Sequence, residues 1–245
     1  MMVLDPKQRL TLFDVERDAG IPLDGCEVVV AGYTGRDAEL VARHVEELAS
    51  HGVPEPESIP AFYPVGLESV LVAPATLVAP QGTTSGEAEP VLVRPASGEL
   101  YLGVGSDHTD REIEKTSIAA SKSACAKVIG PELWPWASVA DRWDRLELRA
   151  AVGSERRPYQ DAPLAAIRRP EEILELIEVL LVEPGAPVVI FLGTVPLLDG
   201  EFYFGDEFAA SLRDPESSRE LRCEYRVAFE STSYGGPQAS SVELR

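Results

Sequence analysis

The chain has 245 residues, 44% of them hydrophobic, with 41 acidic against 22 basic side chains and a formal charge of -19. That length suits one large domain with a sizeable core, and the acidic balance disfavours nucleic acid and anionic membrane surfaces as partners. Three widely spaced cysteines (Cys26, Cys125, Cys223) form neither a disulfide nor a zinc pattern, and no apolar leader opens the chain, so a cytoplasmic protein is expected.

In chain order, residues 9–14 alternate weakly and predict a strand, and a turn-rich link follows. The Val28-Val29-Val30-Ala31 run predicts a buried strand. Leu40, Val41, His44, Val45 and Leu48 recur at helical spacing, so a helix is expected from Arg36 to Ser50, stopped by Gly52 and Pro54. Residues 66–80 predict strands broken by Pro74 and Pro80, and a short helix is expected from Asp110 to Ser121. Trp134, Trp136 and Val139 suggest a hydrophobic cap or subunit contact. A strand is expected over Trp143 to Val152, a helix from Pro170 to Leu181, and a buried strand over Pro187 to Leu192. Strands near Phe208 to Arg213 and Leu221 to Ala228 precede a polar tail at 230–245. Many short strands around two longer helices predict a mainly β (α+β) fold: an N-terminal extension or small lobe (1–26) and one main domain (27–229).

The chemistry concentrates between Glu87 and Asp107. Two apolar runs flank a Pro95-Ala96-Ser97-Gly98 turn signal, which predicts a β-hairpin. A turn at Ser97-Gly98 sets Glu89 opposite Asp107, and Glu87 lies two residues from Glu89, on the same strand face. Three carboxylates on one face repel unless a cation sits between them. A hard divalent ion taking oxygen ligands, Mg²⁺ or Mn²⁺, fits that need. A solvated acidic face is the competing explanation.

The motifs around this trio fall in a recognisable order. Glu87 and Glu89 form a Glu-x-Glu, then Asp107, Thr109 and Arg111 an Asp-x-Thr-x-Arg. Ser121-Lys122-Ser123 follows before Pro131, and Gly193-Thr194-Val195-Pro196 precedes Gly205-Asp206. This ordered set, with Ile59 to Val65 upstream, resembles the fumarylacetoacetate hydrolase superfamily over about residues 27–227. The resemblance implies a mixed β-sandwich roll with a few helices, a metal-dependent catalytic domain and a homodimer. Two departures stand out: a tight hairpin replaces a longer insertion, and Gly32-Tyr33-Thr34-Gly35-Arg36-Asp37 replaces the family's usual Gly-Arg-Asn-Tyr. A His-x-x-Glu occurs farther along, at His44 and Glu47.

From the trio and this resemblance follow the expected roles. Glu87, Glu89 and Asp107 would hold the ion, a Lewis acid for a small 2-oxo or diketo acid. Lys122 would place positive charge over a substrate carboxylate or enolate oxygen. Thr194, after Gly193, would donate to the substrate carboxylate, and Arg111 would clamp the acidic loop or touch substrate. His44 and Glu47, at i and i+3, could form an acid/base pair. Tyr33 and Arg36 occupy the family's substrate-facing turn. The expected activity is hydrolysis of a C–C bond through an enolate. A lyase or isomerase on the same scaffold and a non-catalytic acidic binding protein are the alternatives.

Overall fold

The computed structural model describes residues 10–50, 53–80 and 82–229, apart from the side chains of His44, Glu47 and Leu48. The polar tail at 230–245 and residues 1–9 of the expected N-terminal extension therefore lie outside the described residues. Strands dominate, as expected. A ten-stranded mixed sheet runs from an edge at Ala61–Val65 through Glu27–Gly32, Val188–Phe191, Ala88–Arg94 and Tyr101–Asp107. It continues through Glu132–Pro135 and Thr11–Asp14 to Ala19–Pro22, with Lys127–Ile129 and Val70–Val72 joining beside Tyr101–Asp107. The central strands are buried on both faces. Val91 and Val93 pack into one core, while Leu92 between them packs into the other. This is why they read as continuous apolar runs.

A second, five-stranded sheet is ordered Arg157–Pro163, Glu147–Val152, Glu207–Asp214, Arg219–Phe229 and Ala75–Ala79. Its strands alternate buried and half-exposed residues, as expected for a sheet packed on one face. Leu148, Leu212 and Leu221 on that face meet Leu92, Leu102 and Val104 in the larger core. Trp134, Trp136 and Trp143 are buried in this core, rather than exposed as a cap, and Trp136 Nε1 donates to Glu171 at 3.1 Å.

Among the described residues, four α-helices decorate the sheets: α1 (Ala38–Ser50), α2 (Arg111–Glu114), α3 (Ile118–Ala124) and α4 (Pro170–Ile177). Asp37 starts α1 by accepting from the backbone N–H groups of Glu39 and Leu40. The single helix expected from Asp110 to Ser121 is in fact two. The Thr116 hydroxyl bonds back to the Ile113 carbonyl and the Ser117 side chain caps α3, so both residues compete with helical continuation. Pro170 opens α4, which ends at Ile177, short of the expected Leu181. No described helix is long and apolar enough to cross a membrane.

Candidate metal centre

The carboxylate hairpin forms, with a register different from the expected one. The Gly98 N–H donates to the Pro95 carbonyl and Gly98 adopts a φ of +78°, which shortens the return. Glu89 therefore faces Gly105, and Asp107 faces Glu87, the two exchanging backbone bonds of 3.0 and 3.2 Å. The offset is two residues. Because side chains alternate with period two, an even offset leaves all three acids on one face. Carboxylate oxygens of Glu87, Glu89 and Asp107 lie within 4.8 Å of one another.

The next strand completes the row. Lys127 sits directly across from Asp107. Its Nζ lies 2.7 Å from Asp107 Oδ1 and donates to the His108 carbonyl at 2.7 Å, fully buried. From the last turn of α3, Lys122 Nζ contacts Asp107 Oδ2, reaches Glu87 Oε2 at 3.4 Å and donates to Thr109 Oγ1 at 3.2 Å. Arg111 bridges Glu87 Oε1 at 3.2 Å and Glu114 Oε2 at 2.9 Å, and its Nε donates to Ser85. The ring of Phe202 lies 4.0 Å from its guanidinium carbon. A cleft of about 500 Å³ around Gly153, Arg157, Tyr203 and Asp206 shares only Phe202 with this neighbourhood.

These contacts separate the three acids electrostatically. Burial alone would raise Asp107, but Lys122 and Lys127 hold it well below the carboxylate range. Glu87 is likewise desolvated, and Arg111 and Lys122 together outweigh that, keeping it low. Glu89 receives only the Gly193 N–H, at 3.0 Å, so burial and the Asp107 charge push it well above its usual value. Lys122 is raised despite burial, by Asp107 and then Glu87, whereas burial pulls Lys127 down against the attraction of Asp107.

The trio fits a hard divalent ion. Neither oxygen of Asp107 has a hydrogen-bond partner in good alignment among the described residues, although both are buried and ion-paired. Ligand oxygens around one octahedral Mg²⁺ lie roughly 3–4 Å apart, close to the spread seen here. All three donors are oxygens, which favours Mg²⁺ or Mn²⁺ over zinc.

The loop after Val188–Phe191 supports the trio from above. Gly193 has a φ of +91°, and a Cβ there would collide with Thr34 Oγ1. Thr194 Oγ1 donates to the Ala88 carbonyl at 2.7 Å, so its proton is committed to the hairpin. Gln160 is buried and joins the pieces: its Nε2 donates to Thr194 Oγ1 and the Val195 carbonyl, and its Oε1 accepts from the Ala88 N–H. Gln160 escaped the sequence reading because its strand, Arg157–Pro163, carries Pro158 and Pro163. Prolines are tolerated there because this is the edge of its sheet. Lys127 escaped too, although a lysine in the apolar run before Pro131 was a visible signal.

Of the other expected residues, Tyr33 stays within electrostatic reach of Lys122, and Arg36 turns away. Tyr33 has a φ of 56°, and its phenol is pushed up to about 12 by burial, with Tyr63 and Glu114 adding and Lys122 opposing. Arg36 turns to Asp144 at 2.7 Å and the Ile167 carbonyl at 3.1 Å, neither of which belongs to the trio's neighbourhood. His44 and Glu47 ride on α1, and their side chains lie outside the described residues.

His108 is buried between Tyr225 Oη at 2.8 Å and Thr84 Oγ1 at 2.9 Å. Burial first, then Lys127 and Arg111, lowers it to about 3. The folded value lies below the unfolded 6.5, so its stabilising effect is complete above that pH and disappears as pH falls toward 3. Melting temperature is therefore expected to drop less for His108→Gln than for wild type between about pH 7.5 and about pH 4.5. Equal drops would remove His108 as a source of acid sensitivity.

Comparison with solved structures identifies the fold. Fumarylpyruvate hydrolase from Pseudomonas aeruginosa, in complex with Mn²⁺ and pyruvate, superposes with a TM-score of 0.63 at 18% identity, covering 94% of this chain and 100% of that one. The 2-hydroxyhepta-2,4-diene-1,7-dioate isomerase from Mycobacterium marinum gives 0.58 at 19% identity, covering 86% and 77%. The apo form of 2-keto-3-deoxy-D-arabinonate dehydratase gives 0.58 at 16% identity, covering 84% and 74%. At these identities the likeness is one of fold, and the fumarylacetoacetate hydrolase-like architecture expected from the motifs holds. No curated protein matches the sequence. Residues 31–225 match the family described as "Protein of unknown function (DUF2848)", and the chain belongs to that family, built on a fumarylacetoacetate hydrolase-like fold.

Proposed function

We propose that the protein is a Mg²⁺- or Mn²⁺-dependent enzyme that cleaves a C–C bond in a small 2-oxo or diketo acid by hydrolysis. The carrying observation is the convergence of Glu87, Glu89 and Asp107 oxygens within 4.8 Å in a row flanked by lysines. Glu87, Glu89 and Asp107 would hold the ion, and its chemistry when bound would be Lewis-acid polarisation of a substrate carbonyl. Arg111 fixes the Glu87 carboxylate, Gly193 orients Glu89, and Lys127 neutralises Asp107 from behind. Lys122, held by Thr109 Oγ1, Asp107 and Glu87, would bring positive charge to an enolate oxygen. Gln160 and Thr194 hold the loop that carries Gly193. The structural relatives named for a hydrolase, an isomerase and a dehydratase are compatible with this scaffold supporting several enolate reactions.

A lyase or isomerase is the second reading, favoured by the state of His108. Its ring is buried and both nitrogens are taken up by Tyr225 Oη and Thr84 Oγ1, which leaves neither directed at a water on the trio. Water activation then rests on His44 and Glu47. Calorimetric titration with Mn²⁺, followed by a screen of 2-oxo acids with the ion present, tests both readings. Saturable one-site binding and turnover are expected. Cleavage products would distinguish hydrolysis from decarboxylation, dehydration or isomerisation, and absence of metal uptake would leave the acidic binding protein.

A further inference from the structure

We propose that Glu114 restricts the candidate metal centre to substrates bearing a single carboxylate: 2-oxo acids whose far end is uncharged. The inference rests on the 2-oxo-acid reading above and adds the substrate class. It follows from how the site's cations are already engaged. Lys127 is buried against Asp107, Lys122 bridges Asp107 and Glu87, and Arg111 is bracketed by Glu87 and Glu114. The ring of Phe202 lies over the guanidinium of Arg111 and fixes it further. Arg36, which was expected to face substrate, pairs with Asp144 instead. Among the described residues of this neighbourhood, no cation remains without a carboxylate.

Four carboxylates (Glu87, Glu89, Asp107 and Glu114) thus face three cations. A divalent ion would leave the site one positive charge over, enough for one carboxylate of a bound acid. Counting Asp110, which caps α2, would bring the balance to zero, so a second carboxylate is disfavoured on either count. A second carboxylate on the substrate would meet Glu114, whose side chain is partly exposed beside Arg111, with no partner of opposite sign. Among the described residues, the phenols of Tyr33 and Tyr63 are half-buried and close enough for both Lys122 and Glu114 to act on them. Uncharged hydroxyls suit a hydroxylated or apolar chain, not a carboxylate.

The test is calorimetric titration of the Mn²⁺-loaded protein with 2-oxopentanoate and 2-oxoglutarate, acids of equal chain length that differ in the terminal group. The first is expected to bind about tenfold more tightly. Glu114→Gln, which can keep a hydrogen bond to Arg111, should tighten 2-oxoglutarate alone and narrow the gap. Equal or tighter binding of 2-oxoglutarate by wild type overturns the inference, as does a variant that shifts both acids alike. If Mn²⁺ saturates but neither acid binds, the 2-oxo-acid reading itself fails and takes the inference with it. Should the variant not fold, the wild-type ratio still decides.

Discussion

Lys127→Met is expected to lower the stability of the metal-free protein by about 3–5 kcal/mol, read as an earlier midpoint in urea unfolding. Methionine fills nearly the same volume, so little of the loss comes from packing. The loss comes from charge. Lys127 Nζ is fully buried, 2.7 Å from both Asp107 Oδ1 and the His108 carbonyl, and its removal leaves both without that partner. Asp107 would keep only Lys122. Adding Asp107→Asn to the variant should recover part of the loss, because the uncompensated charge goes with it. Saturating Mn²⁺ should recover stability too, by bringing positive charge back to the same carboxylate. An unchanged urea midpoint would show that Lys127 is not the residue that makes this acidic row tolerable.

Glu89→Ala carries the opposite pair of effects. It should weaken Mn²⁺ binding at least about a hundredfold, to the point where calorimetry shows no saturable site. The metal-free fold should change little. Glu89 is raised well above its usual value by burial and by Asp107, so the metal-free protein gains nothing from its charge. What the fold loses is one hydrogen bond from the Gly193 N–H, worth about 1 kcal/mol. The two variants therefore separate along different axes: Lys127 supports the empty scaffold, and Glu89 supports the ion. Undiminished Mn²⁺ affinity in Glu89→Ala would refute the trio as a metal centre, whatever the activity of the protein.

The hairpin shows how far local sequence reasoning reaches. The turn residues and the apolar runs located both strands, and the period of two put the acids on one face. The pairing came out two residues off because the Pro95-to-Gly98 turn returns the chain earlier than a turn centred on Ser97-Gly98 would. The error was harmless only because it was even. An odd slip would have pointed Asp107 away from Glu87 and Glu89. The α2–α3 break was legible in principle, since Thr116 and Ser117 are residues that divert backbone bonds to their side chains.

What the chain determined by itself was whatever depends on neighbours in sequence: the mainly β pattern, the helix running to Ser50, the helix start at Pro170, and the three acids held at even spacing on paired strands. Only the tertiary structure decided what surrounds those acids. Lys127 arrives from a third strand, Gln160 from a proline-bearing edge strand of the second sheet, and Arg111 is committed to Glu87 and Glu114. Electrostatic partnership acts through space and at short range in a desolvated interior, and residues separated by many tens of positions become partners only when the sheets close. Which acid is raised and which are held low, which lysine is buried, and how much positive charge is left for a ligand are therefore properties of the packed molecule.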